Sequence, residues 1–295
     1  MSVSSPTAAA DGRPQPRPPA RPPLFRRRTA IPGFGLTMGV TLTILSVIVL
    51  IPLSAVAIKS AGLGFDGFLA AAFSERALRA YQLSFGASLV AAVVNGLFGA
   101  LTAWALVRYE FPGKAVINAV VDLPFALPTA VAGIALASLY APTGWVGAKL
   151  AMVGIKAAYN PVGVVIALTF IGLPFVVRTL EPVLRDLAAD VEEAAASLGA
   201  GRLSIIGRVI LPALAPAWLT GFAMAFARGV GEYGSVIFIA GNMPFKSEIA
   251  PLLIIIQLEQ YEYGAAATIA VVMLGVSFLM LLVINAIQAW ARRFV

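Results

Sequence analysis

At 295 residues, 60% hydrophobic and 12% charged, with a mean hydropathy of +0.90, the chain departs from soluble domains, in which roughly a quarter of residues are charged. The formal net charge of +7 is not a nucleic-acid signature, because the basic residues are not interleaved with aromatics on one face and no binding motif accompanies them. With no cysteine and no histidine, disulfides, thiolate and histidine metal sites and the commonest general base are excluded, so neither a metal site nor catalysis by this chain alone is expected.

Residues 1–35 are rich in Pro, Arg, Ala and Ser, as in RPQPRPPARPPLFRRR, and cannot bury a core; they read as a disordered basic tail. The apolar run at 36–58 exceeds the ~7–15 residues of a signal-peptide core and matches the ~20 needed to span a bilayer. Ala55-Val56-Ala57 imitates a cleavage site, so a cleaved leader is the alternative reading of this run. Five further apolar stretches follow at about 81–107, 115–140, 161–178, 213–240 and 265–290. The expectation is an all-α integral membrane protein, with residues 36–295 forming one domain of six transmembrane helices.

Local chemistry refines the spans. Pro112 and Gly113 make 108–114 a tight turn, and Gly172 with Pro174 predicts a kink at the inner end of the fourth span. In the third span Asp122 lies in the inner part. Pro124 and Pro128 free backbone carbonyls that only protein or water can satisfy at that depth, which places this helix inside the bundle. With the N-terminus inside, most Lys and Arg fall in cytoplasmic segments, so both termini and the loop at 190–212 are expected in the cytosol. Trp104, Trp145, Trp218 and Trp290 each fall near a predicted span end, where an aromatic belt would hold them.

That loop reads DVEEAAASLGAGRLSIIGRVILP. Asp190 and Glu193 form a capping-box pattern; Val191, Ala194, Ala195 and Leu198 share one helical face. Gly199 and Gly201 end this helix before a second short one carrying Arg202 and Arg208. The small residues leave a nearly flat face onto which a soluble partner's groove can seat, while a capped hairpin without a partner is the plainer reading. Glu193-Ala194-Ala195, Gly199 and Val209-Ile210-Leu211-Pro212 resemble the EAA loop of ABC importer membrane subunits, with Val209 in place of the usual Ile. The resemblance implies that Glu193, Ala194, Ala195, Gly199, Leu211 and Pro212 belong to a cytoplasmic coupling helix that docks on an ATPase subunit.

The fifth span carries Arg228 and Glu232 four residues apart, able to pair on one helical face. Two readings stand: with Asp122 they belong to an anion path, or they form a structural ion pair that holds helices in register. Arg228–Ile249 and Asp122–Leu136 look like the T-type membrane subunit of sulfate/thiosulfate ABC importers. The Arg-x-x-Gly-Glu core is shared with the sister subunit and with molybdate permeases. The resemblance implies a six-helix importer permease in the bacterial inner membrane, surrounded by lipid and moving the anion from periplasm to cytoplasm. Its implied partners are a second homologous permease, two copies of an ATP-binding subunit and a periplasmic sulfate-binding protein. ATP and Mg would be bound in the ATPase and no cofactor in this chain. A molybdate or tungstate permease and a secondary anion transporter are the alternatives. The segment 241–264 reads as a gate and binding-protein contact, or as an interfacial helix.

Overall fold

The computed structural model describes residues 34–187 and 189–291, and all regular elements among them are helical. The basic tail expected at 1–35 therefore lies almost wholly outside the described residues. The chain divides into two units, residues 1–51 and 52–295. In the first, α1 (Phe34–Leu45) passes into a π-helical turn at Ser46–Leu50. Helix α2 (Ile51–Ala61) follows, and the run Phe34–Ala61, at 28 residues, is long and apolar enough to cross a bilayer.

The larger unit continues through α3 (Gly64–Ala72), α4 (Glu75–Arg108), α5 (Lys114–Ala126), α6 (Thr129–Tyr140) and α7 (Gly147–Met152). Then come α8 (Pro161–Asp186), α9 (Ala189–Ser197), α10 (Arg202–Ile205), α11 (Leu211–Val230), α12 (Val236–Ile239), α13 (Ala250–Glu259) and α14 (Tyr263–Ala291). Glu75–Arg108, Pro161–Asp186, Arg202–Val230 and Tyr263–Ala289 are further spans of 34, 26, 29 and 27 residues. Another crossing is available if α5 and α6, bent by 118° at their junction, count together.

The boundaries follow from local chemistry. Ser74 caps α4 through Oγ, which accepts from the Ala77 N–H at 3.3 Å, so the helix starts ahead of the apolar run that begins near Tyr81. Asn160 caps α8 the same way, its Oδ1 accepting from the Val162 N–H at 2.7 Å, and Pro161 takes the first helical position, where its missing N–H is harmless. That helix runs on past Pro174 and Pro182 to Asp186, well beyond the expected end near 178. Between α5 and α6, Leu127 is forced into extended backbone (ψ 136°) by the proline that follows it, so the predicted third span is two helices and not one.

The reading of 190–212 as helix, glycine joint and second short helix needs one correction. Helix α9 does end at a glycine: Gly199 takes φ +85°, its N–H donates to Ala196 O at 2.9 Å and the Ala200 N–H to Ala195 O at 3.1 Å, a Schellman cap. The second helix is not separate, however. A π-helical turn at Ile206–Ile210 joins α10 to α11, and 202–230 is one helical run. Pro212 falls just past that turn, at the start of α11, where the loss of one backbone donor is absorbed.

The core is the contact of α4, α8 and α11. Small residues let these helices approach closely: a Cβ on Gly96 would stand 2.9 Å from the Trp218 ring, and one on Gly99 or Gly221 would stand 2.9 Å from Val176. Trp218 therefore does not sit at a span end as an interfacial anchor; its Nε1 donates to Gly96 O at 2.8 Å between α11 and α4. The side chain of Trp290 lies outside the described residues. Gly99→Val should overpack this contact and destabilise the bundle by about 1–3 kcal/mol. A thermal melt of the detergent-solubilised protein checks this, with Gly113→Ala, whose Cβ meets nothing within 4 Å but whose φ of +87° penalises a side chain, as a turn-strain control.

Candidate functional site

Helix α9 and the segment after it stand out from the bundle. Glu193 and Ala194 are exposed, while Ala195 and Ala200 pack against the apolar cluster formed by Ile205, Ile210 and Leu214 with α4 and α8. Leu198 and Leu203, on either side of the glycine joint, are 89% and 86% exposed, and Leu211 is 57% exposed. Exposed Leu198 and Leu203, flanking Gly199 just after Glu193, make an apolar surface suited to a protein partner. The side chains of residues 188–192, including the expected cap Asp190 and face residue Val191, lie outside the described residues.

Arg228 and Glu232 meet, though not as two residues on one helix. Helix α11 stops at Val230, and Glu232 lies in the break that follows. Arg228 Nη1 donates to Glu232 Oε2, while Glu232 Oε1 accepts from the Ser235 N–H at 2.9 Å and the Ser235 hydroxyl at 3.0 Å. Glu232 is 3% exposed and both its oxygens are committed, whereas the Arg228 side chain is 34% exposed. Among the described residues no hydrogen bond engages the other guanidinium nitrogens. The break is pinned against a second one: a Cβ on Gly133 of α6 would strike the Ser235 backbone, and one on Gly234 would strike Thr129 at the start of α6. The ends of two interrupted spans thus meet beside Arg228.

Asp122 does not join them. Its carboxylate forms a fork with Arg178 of α8, with Nε to Oδ1 at 2.8 Å and Nη2 to Oδ2 at 2.5 Å. Arg178 Nη1 also donates to Glu181 Oε2 at 2.8 Å and to Asn118 Oδ1 at 2.9 Å. The sequence did not reveal this cluster. The available signals were Asn118 and Asp122 four apart on one helix and Arg178 and Glu181 three apart on another. A third charged contact, also unforeseen, lies in the segment 241–264: Glu248, 3% exposed, takes a bidentate fork from Arg76 (Nε to Oε2 2.8 Å, Nη2 to Oε1 2.6 Å). The Ala250 N–H then donates to Ser84 Oγ at 2.8 Å, so α13 is tied into the bundle at its start.

Residues 95–293 match the family described as binding-protein-dependent transport system inner membrane component. The chain belongs to that family. It is 52% identical over 255 residues to the sulfate transport system permease protein CysT of Synechocystis sp., covering 86% of this chain and 89% of that protein. It is 44% identical over 269 residues to the CysT protein of Salmonella typhimurium, covering 91% and 97%. The fold is that of a solved bacterial ABC transporter involved in the import of the acidic polysaccharide alginate, with a TM-score of 0.71 at 16% identity over 87% of this chain and 96% of that one. A crystal structure of a bacterial alginate ABC transporter in complex with a periplasmic protein bound to an alginate pentasaccharide aligns similarly, at a TM-score of 0.69 and 18% identity over 86% and 93%.

The permease is a multi-pass membrane protein, and the family match includes Asp122, the EAA-like loop and the Arg228–Glu232 pair. Within it the pair is poorly balanced, a fully engaged acid against a part-exposed base. Glu232→Ala leaves Arg228 without its counter-ion and the buried Ser235 N–H without an acceptor, which should cost about 3–5 kcal/mol. Lys114→Ala removes the surface pair with Glu110, an i,i+4 contact at 2.7 Å with Glu110 89% exposed, and should cost under about 1 kcal/mol. Melting curves of the two variants against the parent protein test the contrast.

Proposed function

We propose that this permease is the membrane-spanning subunit of an ATP-driven importer for sulfate or thiosulfate, carrying the anion from periplasm to cytoplasm across a bacterial inner membrane. The observation that carries the reading is 44–52% identity, over most of the chain, to proteins named sulfate transport system permease. It works with a second homologous permease, two copies of an ATP-binding subunit that bind ATP and Mg, and a periplasmic sulfate-binding protein. Both termini face the cytosol, and so does α9.

The geometry supports a division of labour. The exposed surface of Glu193, Ala194, Leu198, Gly199 and Leu203 receives the ATPase, with Ala195 as its anchor to the bundle and Leu211-Pro212 as its link to α11. Because α10, the π-helical turn and α11 form one run, a push on this surface is delivered along the helix that carries Arg228 near its end at Val230. Arg228, held by Glu232 and still partly exposed, supplies positive charge to a dianion passing the break. Asp122, engaged by Arg178, stays off that path and locks α5 to α8.

The deciding experiment is uptake of radiolabelled sulfate by proteoliposomes containing the assembled complex, with and without ATP, under competition by thiosulfate, molybdate and tungstate. ATP-dependent uptake blocked by thiosulfate and weakly affected by molybdate is expected; uptake without ATP overturns the reading. Glu193→Lys should abolish co-purification of the ATPase while leaving the permease folded. Arg228→Ala should lower uptake by about 10- to 100-fold, the worth of one charge-assisted hydrogen bond, with the ATPase still bound. Undiminished uptake by a folded Arg228→Ala complex removes that residue from the path.

A further inference from the structure

Tyr261, Glu262 and Tyr263 join α13 to α14, and Tyr261 does so against its backbone preference. Its φ is +64°, the left-handed region in which glycine or asparagine is usual. The turn is a regular helix stop, with the Tyr261 N–H donating to Leu258 O at 3.1 Å and the Glu262 N–H to Gln257 O at 2.9 Å. A glycine would make it without strain, so something other than the turn accounts for the side chain. That side chain is 78% exposed and meets the Tyr263 ring edge to face, 6.2 Å between centres.

Opposite stands the end of α2. Ser60 Oγ and Thr268 Oγ1 share a buried hydrogen bond at 2.9 Å, and the Leu63 side chain lies 2.7 Å from where a Cβ on Gly264 would fall. These contacts fasten residues 60–63 to the first turns of α14, and two adjoining cavities flank them. One, of about 570 Å³, is lined by Lys59, Tyr261, Glu262 and Tyr263. The other, of about 400 Å³, shares Ala55, Lys59 and Tyr263 with the first and is otherwise lined by apolar side chains, Val56, Ile254 and Ala270 among them. Ala270 lies seven residues beyond Tyr263 in α14, about 10 Å along the helix axis. The second cavity therefore reaches into the hydrocarbon depth of the span, while the first stays at its end.

Lys59 and Glu262 bring opposite charges to the first cavity without pairing. Among the described residues neither side chain forms an ion pair, and the Lys59 ammonium stands over the Tyr263 ring, 5.8 Å from its centre. A soluble protein could reach the polar cavity but not the apolar one that continues it into the membrane; a lipid fills both at once. One cation and one anion at headgroup level, above a groove for a chain, are the complement of a zwitterion. An anionic headgroup such as phosphoglycerol would satisfy Lys59 and leave Glu262 facing like charge.

We propose that the two cavities form a site for one phospholipid with a phosphoethanolamine headgroup. The phosphate lies at Lys59, the ammonium at Glu262 and the tyrosine rings, and an acyl chain in the apolar cavity between α2, α13 and α14. Tyr261 covers the headgroup, which accounts for its left-handed backbone. Lipid occupies this site whatever anion is carried, so the inference goes beyond the transport reading and does not rest on it.

The test is native mass spectrometry of the purified full-length permease with its co-purifying subunits, delipidated in detergent and titrated with dioleoyl phosphatidylethanolamine or dioleoyl phosphatidylglycerol. The parent should retain one phosphatidylethanolamine about 10-fold more tightly than phosphatidylglycerol. Glu262→Gln should erase that preference, Lys59→Gln should weaken both lipids about 10-fold, and Ala55→Trp, which fills the shared wall, should abolish both. Lys149→Gln, a lysine outside the site, should change nothing. Lys59, Glu262 and Ala55 are exposed, so unchanged melting curves should confirm that the variants are folded. Equal retention of the two lipids by the parent overturns the proposal, as does parental retention in the Lys59→Gln and Glu262→Gln variants, which would put the lipid elsewhere. Unchanged lipid retention with lost capture of a periplasmic binding protein also overturns it, by giving this surface to a protein partner. Lipid retention is read without uptake, so a failure of ATP-driven sulfate transport leaves the proposal standing.

Discussion

A buried carboxylate with both oxygens spoken for holds the centre of this permease together. Glu232 ends α11, collects the N–H and hydroxyl of Ser235 ahead of α12, and neutralises Arg228. An interrupted helix in a bilayer leaves backbone donors and acceptors that hydrocarbon cannot satisfy, so a break survives only where side chains take over that work. Glu232 does so, and the break then packs against the start of α6, itself the product of the bend at Leu127-Pro128. Two interrupted spans thus support each other, and the partly exposed guanidinium of Arg228 is left at their junction.

The three-helix contact of α4, α8 and α11 has a different character. It is built from glycines set against Trp218, Val176 and Ser88, so dispersion at close range does the holding, with few hydrogen bonds between side chains. Charge reinforces it at the flanks. Arg178 binds α5 through Asp122 and Asn118, and Arg76 clamps the segment ahead of α13 through Glu248. Fixed forks at the edges and smooth contacts in the middle are a sound plan for helices that shift as rigid bodies while their ends stay attached.

The loop that resembles a coupling element joins this core more directly than a flexible hairpin would. Gly199 closes α9 with a left-handed turn, and within a few residues the chain is helical again without a stop until Val230. The π-helical turn before Pro212 takes up the register shift that the proline would otherwise impose as a break. The exposed Leu198 and Leu203 flank the Gly199 turn, with Leu203 at the start of the helical run that ends at Val230.

Hydrophobic run length and turn chemistry were enough to read membrane insertion, the helical class and the Gly199 stop from residues alone, because each depends on neighbours within a few positions. The pairing of Arg228 with Glu232 was legible too, although its geometry was not: the spacing suggested one helical face, while the pair in fact spans a helix end. The partners of Asp122 and Arg76 could not be read, since Arg178 and Glu248 lie 56 and 172 residues away in the chain. The same holds for Trp218, which seemed an interfacial anchor until its indole met Gly96. Local sequence determined where helices begin and how apolar they are; only helix packing decided which buried polar groups meet, because that depends on the approach of surfaces distant in the chain.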